Sequence, residues 1–178
     1  MLKKIAIGLL VIIAIPFITA LFVQTDYSVV RSVTINQPLP KVFEYVKLLK
    51  NQNEYSVWAK ADPNTKHSYL GNDGEVGFIS IWESENPEVG FGEQEIKNII
   101  PNQRIDFELR FFKPFEATEP AYMAIETVNN AETKVSWGFS GHIDYPLNLM
   151  FLFVDFEKRI GDDLQEGLQN LKVIMEKN

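Results

Sequence analysis

The stretch SVTINQPLPKVFEYV, residues 32–46, decides the fold because two kinds of structure meet within it. Its first four residues, which end at Ile35, are small or β-branched and are typical of a strand. Pro38 and Pro40 follow, and proline suits the first turn of a helix. Apolar side chains then recur at helical spacing, at Val42, Phe43, Val46 and Leu49. The stretch therefore predicts a strand that leads directly into a short amphipathic helix.

The N-terminal segment, residues 1–23, predicts a membrane anchor. Lys3 and Lys4 precede residues 5–23, a run of 19 residues without a charge, and a spanning helix needs roughly 20 apolar residues. A cleaved signal peptide is the alternative, but Ile18 stands two places before Ala20, where a cleavage site has a small residue. The lysines place the N-terminus in the cytoplasm by the positive-inside rule. We therefore expect an uncleaved, single-pass anchor in the cell membrane, with the remaining chain outside the cytoplasmic membrane, periplasmic or extracellular.

The chain that follows the anchor is acidic. Two of the 17 basic residues lie in the N-terminal segment, whereas all 24 acidic residues follow it, which leaves the remainder with a net charge of −9. Such a domain is repelled by nucleic-acid backbones and anionic lipid headgroups. We therefore expect no nucleic-acid partner and no membrane contact through a basic face. The absence of cysteine excludes disulfides, thiolate catalysis and cysteine-bound metals.

The later part of the chain predicts an antiparallel sheet and a long helix. Alternating apolar and polar runs, such as residues 104–112 and 122–128, are separated by turn clusters such as residues 71–74. This succession favours a meander of antiparallel strands with one face in water. The last segment has apolar side chains at three- and four-residue spacing, at Phe156, Ile160, Leu164, Leu168, Leu171 and Ile174. The sequence therefore predicts an α+β domain that ends in a long amphipathic helix.

This order of elements resembles the helix-grip fold of the START-like (SRPBCC) superfamily, and within it the bacterial polyketide-cyclase-type proteins. The resemblance is carried by SVTINQPLPKVFEYV, the region of Trp58, GEVGFISIWES, GFGEQEIKNIIPNQRIDFELRF, KVSWGF and IGDDLQEGLQNLK. It covers residues 27–176, so we expect a helix-grip domain over residues 27–178. The resemblance implies two short helices after the first strand and a sheet of about six or seven strands wrapped around the C-terminal helix. It also implies an apolar cavity between that helix and the sheet.

The sequence contains no complete version of the catalytic and cofactor-binding motifs that it partly matches. GFSGH, residues 138–142, has His142 where G-x-S-x-G requires a second glycine. His67 and His142 are the only histidines, and they lack metal-ligand spacing. The glycines at 71, 74 and 77 are not followed by the helix that dinucleotide binding requires. We therefore expect no catalytic residue, no metal and no cofactor.

Glu93 and Glu95 share one face of a predicted strand, so a carboxylate pair for acid–base catalysis is conceivable. Gln94 and Ile96 share the opposite face, and Ile96 marks that face as the buried one. We therefore expect Glu93 and Glu95 to face water as solvated carboxylates.

The predicted ligand-binding residues lie on positions that we expect to face inward. They are Trp58, Trp82, Gln94, Phe107, Phe111, Trp137 and Gly161. The alternative for the aromatic residues is that they fill the core. Gly161 costs about 1 kcal/mol relative to alanine in a helix interior, which indicates that space is needed there, either for a cavity or for tight helix–sheet packing. With a cavity, Gly161→Ala should be tolerated, and Gly161→Leu should lower ligand binding more than stability.

Together these inferences favour a membrane-anchored, non-catalytic domain that binds a hydrophobic small molecule or lipid. An anchor holds such a pocket near the bilayer and so raises the effective concentration of a lipid ligand. Two alternatives stay open. A cyclase- or hydrolase-like enzyme acting on an apolar substrate needs paired polar groups inside the cavity. A protein-interaction module needs an exposed apolar patch.

Overall fold

The computed structural model describes residues 2–177 and contains a seven-stranded antiparallel sheet in the order β1-β7-β6-β5-β4-β3-β2. Met1 and Asn178, the outer ends of the two predicted segments, lie outside the described residues. The strands are β1 (Asp26–Ile35), β2 (Lys66–Leu70), β3 (Ile79–Glu83), β4 (Phe91–Ile100), β5 (Arg104–Lys113), β6 (Ala117–Asn129) and β7 (Glu132–His142). The helices are α1 (Leu2–Ala20), α2 (Leu39–Val46), α3 (Leu49–Tyr55), α4 (Val57–Lys60), a 3-10 helix (Leu147–Leu152) and α5 (Phe156–Lys177). The predicted α+β class is confirmed.

The junction between β1 and α2 has the predicted form. The backbone N–H of Gln37 donates to the carbonyl of Ile35 over 2.9 Å and turns the chain away from the sheet. Pro38 keeps an extended backbone ahead of α2, and proline occupies the first turn of the helix. The apolar side of α2 is buried, with Val42, Phe43 and Val46 in the core. The strand-to-helix prediction is therefore confirmed.

Three short helices follow β1, not the predicted two. Ser56 has an extended backbone with φ −65° and ψ 133°, and it separates α3 from α4. The side chain of Asn170, from α5, donates to the carbonyl of Tyr55 over 3.1 Å. This long-range hydrogen bond occupies a carbonyl at the end of α3, so the predicted helix breaks where α5 meets it.

α5 lies against one face of the sheet, which we call the inner face. Leu164, Leu168 and Leu171 of this helix are fully buried and belong to the same core as Ile35 and Val135 of the sheet. The predicted apolar stripe of the C-terminal helix is therefore confirmed. Phe156, Ile160 and Ile174, near the two ends of that stripe, are half-buried.

Residues Lys3–Ala20 form a helix that is long and apolar enough to cross a membrane, judged by length and composition. The end of α1 is tied to the segment that joins β7 to α5. The buried side chain of Asn148 donates from Nδ2 to the carbonyls of Ala20, over 2.7 Å, and Val23, over 2.9 Å. The C-terminal end of α1 is thereby held against the 3-10 helix.

Candidate functional site

Strand register aligns the inner-face residues in rows that cross the sheet. One row consists of Val29, Phe139, Ala121, Phe107 and Ile96. The row beside it, farther from α1, contains Trp137 paired with Met123. Phe107 is 3% exposed and Trp137 is 4% exposed. These two predicted ligand-binding residues therefore lie in the core, as the alternative interpretation held.

Trp58 joins that core from the helical side. Its ring meets Trp137 edge to face, with 6.1 Å between the ring centroids, and Tyr55 contacts the same indole at 5.8 Å. Trp58 is half-buried, whereas Tyr55 is fully buried. Trp58 therefore covers the core and has one side open to a ligand or to solvent.

The next row toward α1 is polar. On β1, Tyr27 pairs with Gly141 of β7, and Glu119 on β6, Leu109 on β5, Gln94 on β4 and Ser80 on β3 follow one another in register. We call Tyr27, Glu119, Leu109, Gln94 and Ser80 the polar row, of which Leu109 is the apolar member. Because the neighbouring rows are apolar or aromatic, the polar row supplies the hydrogen-bonding groups of this part of the inner face.

Glu119 is the acidic residue of the polar row and was not among the predicted site residues. It is 9% exposed, and its carboxylate Oε1 accepts a hydrogen bond from the backbone N–H of His142 over 2.9 Å. Burial raises the pKa of the Glu119 carboxyl above its ordinary value, and the hydrogen bond from His142 offsets only part of that effect. Burial also raises the pKa of Tyr27 to about 12, with a further contribution from the charge of Glu119. The inner face therefore holds a buried carboxyl whose pKa is raised above its ordinary value.

Gln94 lies on the inner face as predicted and is 7% exposed. Its side-chain amide exchanges two hydrogen bonds with the amide of Gln52 on α3, at 3.2 and 3.3 Å. The pair connects the sheet to the helical layer. A ligand polar group that reaches Gln94 would have to compete with Gln52.

Trp82 and Phe111 form an aromatic pair in the last row of the inner face. Their rings meet edge to face at 5.8 Å, and both side chains are half-buried. Gly92 lies between them in the register, and a Cβ at Gly92 would collide with the ring of Trp82 and would lie 2.7 Å from the carbonyl oxygen of Arg110. Trp82 also donates from its indole nitrogen to the carbonyl of Val89 over 3.2 Å. The indole of Trp82 therefore lies directly over the backbone of Gly92.

One end of the polar row, Tyr27 on β1, lies close to the end of α1. β1 begins at Asp26, six residues after α1 ends at Ala20. The Tyr27 ring packs against Phe151 and Phe156, with 5.7 Å between the centroids in each case. Phe151 belongs to the 3-10 helix that Asn148 ties to α1. The β1 end of the polar row, Tyr27, is therefore adjacent to the end of α1.

Glu93 and Glu95 lie on the outer face, as predicted, but they are not simply solvated. Arg110 donates from Nε to Glu93 over 2.6 Å and from Nη1 to Glu95 over 2.7 Å, and it also contacts Glu108. The hydrogen bond from Arg110 is the main cause that holds the pKa of Glu95 below its ordinary value. The predicted outward orientation is therefore confirmed, and the expectation of solvated carboxylates is refined, because both acids pair with Arg110. With Glu108, these residues form an ion-pair cluster on the outer face.

Gly161 faces the sheet, but the space beside it is occupied. A Cβ at this position would collide with the guanidinium of Arg31, an inner-face residue of β1, whose Nε would lie 2.9 Å away. This arrangement favours the packing alternative over the cavity interpretation of Gly161. The expectation that Gly161→Ala is simply tolerated is revised, because Arg31 has to move to admit a methyl group.

Two hollows among the described residues lie at the surface. One is lined by Asp62, Asn64, Lys66, Glu83, Glu85 and Asn86. The other is lined by Gln24 and residues 151–157. Neither includes a predicted ligand-binding residue.

His142 is exposed and lies between two acids. Its Nδ1 is 2.7 Å from Asp26 and its Nε2 is 3.3 Å from Asp144. The hydrogen bond to Asp26 is the main cause that raises the pKa of His142. Within residues 2–177 no group of three or more potential ligand residues could hold a metal ion.

Comparison with known proteins finds similarity of fold alone. No protein-family model and no curated protein matches the sequence. The Aha1 dimer from Colwellia psychrerythraea is 15% identical with a TM-score of 0.57, over 84% of this chain and 96% of that one. Ara h 8.0201 is 12% identical with a TM-score of 0.58, over 86% and 99%. DynU16, from the dynemicin biosynthetic locus, is 13% identical with a TM-score of 0.57, over 84% and 47%. The chain thus shares the helix-grip fold of these structures.

Proposed function

We propose that this chain is a membrane-anchored helix-grip domain that binds a hydrophobic small molecule or lipid and catalyses no reaction on it. Within the START-like superfamily we assign it to the polyketide-cyclase-type proteins. The observation that carries the proposal is the polar row beside the pair formed by Trp82 and Phe111. Pockets for apolar ligands combine aromatic walls with a few polar groups that fix orientation. Here Glu119 and Gln94 are those polar groups.

The location of the polar row supports an origin of the ligand in the bilayer. Tyr27 stands at the α1 side of the sheet, and its ring neighbours belong to the segment tied to α1. If α1 spans the membrane with Lys3 and Lys4 in the cytoplasm, the polar row lies close to the outer surface of the bilayer. A lipid then has a short path from the membrane to the inner face.

The anchored topology has its own test. A C-terminal fusion to alkaline phosphatase, expressed in a bacterial host, should be active, and a C-terminal fusion to green fluorescent protein exported by the same route should be dark. The opposite pattern would place the domain in the cytoplasm. It would leave ligand binding standing and would remove the proposed topology.

The main test of binding compares variants of the full chain. The anchor retains lipids of its own, so only a difference between variants reports on the inner face. The wild type, Trp82→Ala and Val128→Ala are purified in the same detergent, and the bound lipids are extracted and quantified by mass spectrometry. Val128 is exposed at the end of β6 far from α1, so it is the matched control. We expect Trp82→Ala to lose one class of co-purifying molecule that Val128→Ala retains. Equal lipid content in all three proteins would contradict binding at the inner face.

An enzyme is the second candidate function, and Glu119 is the observation that favours it. A carboxyl whose pKa is raised by burial has one of the properties of a general acid. The Glu119→Gln variant separates the two functions. If the chain is an enzyme, this variant should accumulate a molecule that differs chemically from the one bound to the wild type. If the chain only binds, both proteins should carry the same molecule.

A further inference from the structure

The segment that joins β7 to α5 presents apolar side chains that the fold does not bury. Residues 145–154, YPLNLMFLFV, contain no charged residue. Phe153 is 85% exposed, and Leu147 is 62% exposed. Further exposed side chains of the segment are Tyr145, Met150 and Leu152. A dense exposed apolar run of this kind marks an interaction surface in a folded domain.

The same surface continues onto the end of α1. Leu21 and Phe22, which directly follow the helix, are 68% and 85% exposed. Asn148 joins the two parts, because its side chain donates to the carbonyls of Ala20 and Val23. We call residues 145–154 together with Leu21 and Phe22 the docking surface. It begins where the candidate membrane span ends.

We propose that the docking surface inserts into the interfacial layer of the bilayer that α1 crosses, on the side opposite to Lys3 and Lys4. This inference rests on the proposed function, because it requires α1 to span the membrane. Aromatic and aliphatic side chains stabilise such shallow insertion, as in monotopic proteins. The insertion fixes the orientation of the whole domain and holds Tyr27 and the polar row against the lipid surface.

The charges around the docking surface favour hydrophobic insertion over attraction to anionic headgroups. Asp144 and Asp155 flank residues 145–154, and there is no lysine or arginine between them. Asp155 is engaged locally, since its carboxylate accepts a hydrogen bond from the N–H of Lys158 over 2.8 Å. The docking surface should therefore bind neutral phosphatidylcholine as well as it binds anionic lipid.

The test uses the full chain in phosphatidylcholine nanodiscs. The sequence has no cysteine, so a single introduced cysteine carries a unique environment-sensitive fluorophore. The labelled variants are Phe153→Cys and Leu152→Cys in the docking surface, Ile12→Cys in α1, and Val128→Cys as the exposed control. Lipids that carry a spin label near the headgroup or deep in the acyl chain quench fluorophores at the matching depth.

We expect Phe153→Cys and Leu152→Cys to show blue-shifted emission and to be quenched most by the shallow spin label. Ile12→Cys should be quenched most by the deep label, and Val128→Cys by neither. Replacing part of the phosphatidylcholine by phosphatidylglycerol should leave the quenching at residue 153 unchanged. Strengthened quenching in the anionic lipid would contradict a hydrophobic mode of insertion.

The remaining outcomes separate the two proposals. If Ile12→Cys is quenched while both docking-surface variants behave like Val128→Cys, docking is wrong and anchoring stands. If Ile12→Cys is not quenched by either lipid, anchoring fails and docking fails with it. Blue-shifted emission at residue 153 without quenching by lipid means that protein, such as a second copy of the chain, covers the surface, and this also overturns docking.

Discussion

The guanidinium of Arg31 occupies the space that the missing side chain of Gly161 leaves between α5 and β1. Arg31 also donates to the carbonyl of Val30 over 3.0 Å, which keeps its stem close to the strand. The glycine is thus explained by close approach of an arginine, and helix propensity is given up for that contact.

Gly161→Leu should therefore lower the stability of the domain by about 1–3 kcal/mol, because a larger side chain in a packed site forces its neighbours to move. Ligand affinity should fall only in proportion to the loss of folded protein. Gly161→Ala should change stability by less than about 1 kcal/mol, since the gain in helix propensity opposes the displacement of Arg31. Thermal unfolding of both variants measures these effects.

Arg31→Ala is the matched partner for a double-mutant cycle with Gly161→Leu. If the guanidinium is the obstacle, Gly161→Leu should cost less stability in the Arg31→Ala background than in the wild type. Strictly additive effects would show that another group limits the space at Gly161.

Gly92→Ala should disturb both stability and the position of Trp82. A Cβ at this position meets the indole and lies 2.7 Å from the backbone carbonyl oxygen of Arg110, so side-chain motion alone cannot relieve the crowding. We expect a loss of about 1–3 kcal/mol and a change in tryptophan emission. Gly8→Ala is the control, because nothing lies within 4 Å of a Cβ there. Unchanged emission in Gly92→Ala would contradict the placement of Trp82 over Gly92.

Glu119→Gln should stabilise the domain in a pH-dependent way. Burial raises the pKa of Glu119 in the folded state, so its ionised form costs stability above that pKa, and the cost disappears as the pH falls through it. The variant should be more stable than the wild type by on the order of 1 kcal/mol or less near pH 7.5, with the difference closing by about pH 4. Glu126→Gln, an exposed position of the same strand, is the control. A constant difference across this range would mean that Glu119 is not desolvated.

Arg110→Met should destabilise the domain because it leaves Glu93, Glu95 and Glu108 without their shared cation. We expect a loss of about 1–2 kcal/mol near pH 7. The lowered pKa of Glu95 means that this stabilisation is present above the ordinary carboxyl pKa and is lost as the pH falls through the lowered one. Chemical denaturation near pH 7 and below about pH 4 should therefore show a shrinking difference from the wild type.

Lys134→Met is the comparison for the arginine cluster. Lys134 meets a single exposed partner, Glu126, at 3.5 Å, and such pairs contribute less than about 1 kcal/mol. If Arg110→Met costs no more than Lys134→Met, the cluster on the outer face is a set of ordinary surface charges.

The strand-to-helix junction could be predicted from sequence because its causes are local. Ile35 ends a β-branched run, and Pro40 lies where a helix can begin, so neighbouring residues alone determine the outcome. The faces of β4 were predictable for the same reason. Gln94 and Ile96 share the parity of the buried side, and Glu93 and Glu95 were correctly assigned to the other side.

Glu119 was missed because a long-range pairing overrides a local signal. Alternation predicts the strand only from residue 122 onward, and Pro120 argues against a strand before that point. In the structure β6 begins at Ala117, because this part pairs with β5, where Pro120 lies opposite Glu108. Ala121 and Met123 are alternate residues of β6 that face inward. If the same alternation is continued backward past Pro120, Glu119 also falls on the inner face.

The alternation of side chains along a strand also could not distinguish aromatic residues of the core from candidate ligand-binding residues. Phe107 and Phe111 share one face of β5, yet Phe107 is buried in the core and Phe111 is half-buried next to Trp82. Which row a residue occupies depends on the register between strands that are distant in sequence. The same holds for Arg31, whose fit against Gly161 follows from the packing of α5 on β1.

We propose that the polar row and the aromatic pair of Trp82 and Phe111 bind an apolar ligand from the membrane. The most direct test maps, by mass spectrometry, where a long-chain alcohol with a photoreactive diazirine attaches to the full chain in phosphatidylcholine nanodiscs. A matching fatty acid is the control, because its carboxylate would place a second negative charge beside the carboxyl of Glu119. The account predicts adducts on Trp82, Phe111 or Leu109, more with the alcohol than with the acid. Adducts confined to α1 and residues 145–154, with equal yields from both reagents, would contradict it.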